Sequence, residues 1–438
     1  MAYLPNIIFA VILILGIGYF VRNIKKIIRN IKLGQEVNAK DNKAKRWKNV
    51  AYIALGQSKM VKRPVSGFLH AIVYVGFIII NIEVLEIIID GLFGTHRIGQ
   101  QVLPEWLYGF LIGSFEILSV LVLVSVTVFW LRRNVIKVKR FLSSEMKGWP
   151  KSDGNIILYF EVVLMCLFLL MNATDTIFQN TGSGNVISQF IAPWFEGVSV
   201  GTLYIIEKSA WWLHIVGILI FLNYLYFSKH LHILLAFPNV YLGSVEPKGK
   251  FNNLDAVTAE VKLMMDPDAD PYAAPAETSE DDVPAKFGAS DVMDLNQIQL
   301  LNAYTCTECG RCTSECPANL TGKKLSPRKI MMDTRDRLEE VGKNIETNKG
   351  EFIDDGKQLL GDYITNEELW ACTTCNACVE ACPVSINPLS IIMDMRRYLV
   401  MEQSAAPMEL NNMMTNIENN GAPWPYNQMD RLNWKDEN

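Results

Sequence analysis

Histidine and scattered cysteine are scarce in this 438-residue chain: it has five histidines, and of its nine cysteines only Cys166 lies outside two short segments. No Walker loop, hydrolase triad or dinucleotide-binding glycine fingerprint occurs, so the motifs of nucleotide-driven and triad chemistry are missing. Charged residues make up 20% of the chain against 50% hydrophobic ones, and the two kinds are segregated rather than mixed. No cysteine follows Cys382, and the last stretch, Asn411 to Asn438, is polar apart from residues such as Trp424 and Trp434.

What is present falls into three parts. Residues 5–21, 65–89, 106–131, 156–172 and 204–228 are five apolar stretches, most of them near the ~20 residues a helix needs to cross a bilayer. From about residue 245 the chain is polar and reads as water-soluble. Between the two parts, residues 244–290 contain the run DPDADPYAAPAETSEDD, acidic and rich in Pro and Ala, which reads as a tether that buries no core of its own.

The charges give an expected orientation. The connection 22–63 holds thirteen Lys or Arg and 132–155 holds seven, whereas the opposite connections hold only Arg97 and Lys208. Lys and Arg collect on the cytoplasmic side, which places the N-terminus outside and residues 229–438 inside. The first stretch lacks a small-residue cleavage site before its basic flank and reads as a retained anchor. The basic loop 22–63 is accounted for by topology and attraction to the membrane surface; no nucleic-acid signal is seen. In a reducing cytoplasm, dense thiols bind metal rather than pair as disulfides.

The thiols are arranged as a repeat. CTECGRCTSECP at 306–317 returns as CTTCNACVEACP at 372–383, each C-x2-C-x2-C-x3-C-P. Three close thiolates wrap three irons of a cubane, and in two-cluster ferredoxins the fourth ligates the other cluster. Carried onto this chain, one [4Fe–4S] cluster takes Cys306, Cys309, Cys312 and Cys382, and the other takes Cys372, Cys375, Cys378 and Cys316. Structural zinc, the alternative, favours two separated C-x2-C pairs and leaves the rest of each run unexplained.

Each run is followed by a helix start. Ser326-Pro327 and Asn387-Pro388 combine a capping side chain with a proline suited to the first turn. Apolar residues then recur at intervals of three and four, and the segments 326–338 and 387–399 align with each other. This region resembles the all-helical two-cluster ferredoxins, and within them the cluster-bearing part of heterodisulfide reductases and related quinone-linked dehydrogenases. The likeness covers roughly residues 290–435. In that family a Cys-Cys-Gly-rich catalytic module follows or sits on another subunit, so the resemblance implies a soluble, cysteine-rich partner here.

The five histidines are His70, His96, His214, His230 and His232. Eighteen residues, five helical turns, separate His214 from His232, which would put both on one face of a continuous fifth helix with His230 turned away. His96 reads as an outer-loop surface residue and Cys166 as a small packing residue of the fourth stretch. The segment LHIVGILIFLNYLYFSKHLHI at 213–233, with five stretches and an outside N-terminus, is similar to the cytochrome b subunit of membrane-bound nitrate reductase. That resemblance implies haem b between His70 and His232, and a second haem at His214 whose opposite ligand would fall near Ile80. Asn81, Glu83, Glu86 and Glu116 are the polar groups that could instead surround a quinone head beside His214. Glu83 and Glu86 could equally be interfacial anchors.

Together these readings predict an all-α protein. Residues 1–243 form a five-span haem b domain, 244–290 a linker, 291–402 a two-cluster ferredoxin domain, and 403–438 a polar, partner-binding tail. The expected role is electron transfer, in a bacterial inner membrane, between a partner dehydrogenase or reductase and a quinone, menaquinone by resemblance. A redox-driven ion pump, and an anchor or redox sensor without haem, are the competing expectations.

Overall fold

The computed structural model describes residues 3–37, 41–247, 249–267 and 286–436. Among them there is no strand, only two isolated bridges, Gln35 with Asn296 and Leu360 with Ile364. The all-α expectation holds.

Five helices are long and apolar enough to cross a membrane: α1 (Leu4–Ile31), α2 (Pro64–Phe93), α3 (Glu105–Asn134), α4 (Trp149–Thr174) and α5 (Val200–Tyr224). All run past the apolar stretches that mark them, because a proline in the first turn of α1, α2 and α4 and the Ser199 side chain at the start of α5 extend their beginnings. α4 packs on α5 and α3, α2 on α3, and α1 on both α5 and α2. Cys166 is exposed on the outer surface of α4, not packed inside the bundle as its size suggested.

The fifth span does not continue to His232. α5 gives way to a short 3₁₀ turn, and Ser228 is extended (φ −114°, ψ 146°) before α6 (His232–Leu242) begins. The Ser228 hydroxyl donates to Asp153 at the start of α4 and accepts from the His230 amide. Such local side-chain bonds compete with the helical ladder. Counting helical turns from His214 to His232 therefore fails, and His230, far from pointing away, has its ring 5.3 Å from that of His232.

The polar half is built on α7 (Gln297–Thr305), α8 (Pro327–Thr347) and α9 (Pro388–Arg397). Ser326 and Asn387 cap α8 and α9 by accepting from the amides of Lys329 and Ser390, as the repeated Ser/Asn-Pro signal predicts. Leu300, Ile330, Leu338, Ile391 and Met395 fill the space between the three helices. Arg337 is fully buried in this region; its guanidinium donates to Asp291, Asp355 and the Lys357 carbonyl. Of the intervening tether, Asp255–Met265 is helical and most of the acidic run lies outside the described residues.

The two halves are docked through the basic connections. Arg29 donates to the Gly342 carbonyl (3.0 Å), Asn30 to the Tyr304 hydroxyl (2.9 Å) and Lys26 pairs with Glu346 (2.9 Å). A methyl at Gly342 would lie 2.5 Å from the Asn30 side chain, so the close approach of α8 to α1 needs glycine there. Arg63 pairs with Glu315 (2.8 Å), and Arg328, fully buried, reaches the Arg140 carbonyl and the Glu145 carboxylate (both 2.7 Å). Positive loops thus serve as the seat of the cysteine domain besides orienting the spans.

Replacing Arg337 by Ala strands two buried carboxylates and should lower the stability of the cysteine domain by about 3–5 kcal/mol. Chemical denaturation followed by the loss of cluster absorbance checks this, and wild-type stability would contradict it.

Candidate redox centres

The two cysteine runs share a backbone as well as a spacing. Glu308 and Gly310 in the first have φ of +54° and +71°, and the equivalent Thr374 and Asn376 in the second have +56° and +60°. Two left-handed residues per loop curl each run around a common centre, and non-glycine residues held so mark functional loops. The arginines at equivalent places in the following helices each hold a cysteine loop: Arg335 pairs with Glu308 (2.9 Å), and Arg396 donates to the carbonyls of Cys372 (2.5 Å) and Leu369 (2.6 Å).

All nine cysteines are free thiols. Cys306, Cys309, Cys312 and Cys382 line one cavity of about 400 Å³, with Cys378 at its edge. Cys378 otherwise faces the charges of Cys372, Cys316 and Cys375. Each run therefore gives its fourth cysteine to the neighbourhood of the other, the crossed grouping expected from the sequence. Cys316 and Cys378 are buried, Cys372 is half-buried and Cys375 is exposed, so the second group lies nearer the surface.

Burial pushes the thiols of Cys306 and Cys378 up to about 12 and that of Cys382 up to about 11. Thiolates so disfavoured form only against added positive charge, which iron supplies. The donor set, the cavity and the thiol chemistry all fit [4Fe–4S] clusters.

The histidines divide between two places. His70 on α2 and His232 at the start of α6 have ring centroids 6.5 Å apart. Two imidazoles sharing one metal at ordinary Nε2 distances have centroids about 6.4 Å apart. His232 Nδ1 donates to the Lys229 carbonyl (3.1 Å), which leaves Nε2 as its ligating lone pair. His70 Nδ1 is buried without a partner. The pair fits a haem iron. His230 packs on Phe221 (5.4 Å) beside it.

His214 is elsewhere in the bundle, buried, with Nδ1 donating to the Leu164 carbonyl (3.0 Å). It lines a cavity of about 530 Å³ together with Ile80, Asn81 and Glu161. Of the acids expected beside His214, none lines that cavity. Glu116 accepts from Asn172 (3.0 Å) and from the amides of Ile187 (2.6 Å) and Ser188 (3.0 Å). Glu86 accepts from the Gly99 amide (2.9 Å) and faces Tyr108, and Glu83 is buried. Glu161 was missed, although a single acid in an apolar span is itself a signal.

At the face of the bundle away from the cysteine domain, Arg97 donates to Asp175 (2.7 Å) and Asn172 (2.8 Å), and His96 sits 3.2 Å from Asp175. Hydrogen bonds from His96 and Arg97 hold the Asp175 carboxyl well below the usual carboxylate range despite its burial. His96 is thus tied into an ion-paired network and is not the solvated surface residue its loop position suggested.

Residues 305–386 match the family described as a 4Fe-4S dicluster domain. With five membrane-type helices, this defines the chain as a membrane-associated iron–sulfur protein of the electron-transferring, oxidoreductase type. Among curated relatives, the probable iron-sulfur-binding oxidoreductase FadF of Bacillus subtilis is 30% identical, covering 98% of this chain and 61% of FadF. EtfAB:quinone oxidoreductase of Syntrophomonas wolfei is 26% identical over 92% of this chain and 55% of its own length. A probable membrane-anchored ferredoxin of Chromohalobacter salexigens is 32% identical over 35% of this chain and 25% of its own length. Polypeptides of methanogen heterodisulfide reductases match the cysteine-bearing part as well. The chain spans 55–61% of the length of the first two. No solved structure matches.

Serine at Cys312 or at Cys382 should remove the same cluster, and iron should fall from about eight to about four atoms per chain. Serine at Cys316 should remove the other. Electron paramagnetic resonance of the remaining reduced cluster distinguishes them; one signal lost in both Cys312→Ser and Cys316→Ser would contradict the crossed grouping.

Proposed function

We propose that this chain carries electrons between a soluble partner module and a membrane quinone, through two [4Fe–4S] clusters and a b haem. Cys306, Cys309, Cys312 and Cys382 would hold one cluster, Cys372, Cys375, Cys378 and Cys316 the other, and His70 with His232 the haem. The groups supply one-electron redox steps, which match a partner and a quinone that exchange electrons singly or in pairs.

One observation carries this reading. Lys229, whose carbonyl accepts from His232 Nδ1, has its ammonium on Glu308 between the first two cysteines of the first run. From the same run, Arg311 donates to the carbonyls of Lys59 (3.1 Å) and Met60 (3.2 Å) and lies close enough to His70 for their charges to interact. The first cysteine group is thus joined to the histidine pair by one residue, while the second, with exposed Cys375, is turned to the surface. An order follows: partner, surface group, inner group, histidine pair, quinone.

The likeness of 213–233 to the nitrate reductase cytochrome b supports the haem, and the name of the Syntrophomonas relative supports a quinone; menaquinone is the type the resemblance implies. The excess of Lys and Arg on the cysteine-domain side supports an inner-membrane protein with that domain in the cytoplasm. Residues 1–243, 244–290, 291–402 and 403–438 would act as haem domain, tether, cluster domain and partner-binding tail. In the tail, helix Met408–Asn420 buries no residue and presents Met408, Met414 and Ile417, with Trp424 and Trp434 exposed beyond it. Such a surface suits a protein partner, expected to be the cysteine-rich catalytic module.

Anaerobically purified protein should show a haem b band in reduced-minus-oxidised spectra. His70→Ala should abolish the band while leaving about eight cluster irons. Full iron with no haem in the wild-type protein would reduce the chain to a cluster-bearing anchor.

A further inference from the structure

The cavity at His214 lies between α2, α4 and α5, in the lipid-spanning part of the bundle, and nothing above assigns it an occupant. Its walls are apolar, Phe77, Ile80 and Phe221 among them, and three polar groups face it: Asn81, Glu161 and His214. A few convergent polar groups in an otherwise apolar pocket are the usual design of a small-molecule site.

The hydrogen-bonding state of each group is fixed by what it already binds. A carbonyl can only accept, so His214 Nδ1 carries the proton that it gives to Leu164, and Nε2 presents a lone pair. Asn81 gives an amide N–H to the Phe77 carbonyl (2.5 Å), which leaves its own carbonyl oxygen unengaged. Among the described residues the Glu161 carboxyl has no hydrogen-bond partner and no charged neighbour. The cavity therefore presents acceptors that lack donors. A second haem fits poorly: it would find one imidazole, Ile80 at the opposite ligand position, and no cation among the lining residues for its propionates.

From this we infer that the cavity binds the head group of a lipophilic hydroquinone, whose two hydroxyls donate to His214 Nε2 and to the carbonyl or carboxyl oxygens of Asn81 and Glu161. The occupant is the reduced ring, because the oxidised ring has carbonyl oxygens and no donor to offer. The inference deepens the proposed function by locating the quinone and naming the form held, and it rests on that reading for its biological sense. The cavity's chemistry does not depend on any other redox group.

The test is anaerobic titration of the full-length chain in detergent with a short-tailed naphthoquinol and, separately, its naphthoquinone, with haem content measured in parallel. Wild-type protein should bind the quinol more tightly than the quinone. His214→Ala and Glu161→Leu should each weaken quinol binding about tenfold, the effect of one buried hydrogen bond. Ile80→Phe, which fills the cavity and removes no polar group, should abolish binding; unchanged cluster iron in each variant shows that it has folded. His214→Ala should retain wild-type haem, and His70→Ala should lose haem yet still bind quinol. Equal or tighter binding of the quinone, unchanged quinol affinity in the variants, or loss of a haem in His214→Ala would each overturn the inference. If wild-type protein holds no haem, the proposed electron path fails, and the titration still decides the occupant.

Discussion

Lys229 is the residue on which the architecture turns. Its ammonium is almost fully buried between Glu308, in the first cysteine loop, and Asp153, at the start of α4. Its backbone carbonyl fixes the ring of His232. Lysine is rarely buried without compensating charge, and here two carboxylates from different parts of the chain supply it. A single side chain thereby ties the cysteine domain to the membrane bundle at the place where the histidine pair sits. Arg335 reinforces Glu308 from the other side, so the loop between Cys306 and Cys309 is clamped by cations from both halves.

That clamp explains why the fifth span breaks. Continuing α5 through residue 232 would carry Ser228 and Lys229 round the helix and away from Asp153. The extended Ser228 instead turns the chain so that Ser228, Tyr224 and the Lys229 amide all converge on Asp153. His232 is delivered next to His70 by this turn, not by helical periodicity. The basic connections likewise have two uses, since residues that bias orientation by their charge also grip the carbonyls and carboxylates of the cysteine domain.

What could be read from the sequence was what local chemistry encodes. The crossed cysteine spacing, the Ser-Pro and Asn-Pro helix starts and the five apolar stretches are all determined within a few residues, and each reappears in the fold. The failures come from long-range partners. The break at Ser228 depends on Asp153, some 75 residues away. Glu116 and Glu86 looked like groups free to serve a ligand, yet backbone amides of the outer loops already occupy them. Glu161, by contrast, carried a readable sign: it is an isolated acid in an apolar stretch, and it faces the cavity beside His214.

The account stands on one continuous route from the surface thiol group to the histidine pair. Rapid-mixing reduction of anaerobic protein by a small ferredoxin, with haem and cluster absorbance followed together, tests it most directly. In wild-type protein haem reduction should trail cluster reduction, and Cys309→Ser should stop haem reduction while the cluster held by Cys372, Cys375, Cys378 and Cys316 still fills. Haem reduced at the wild-type rate in Cys309→Ser would contradict the route.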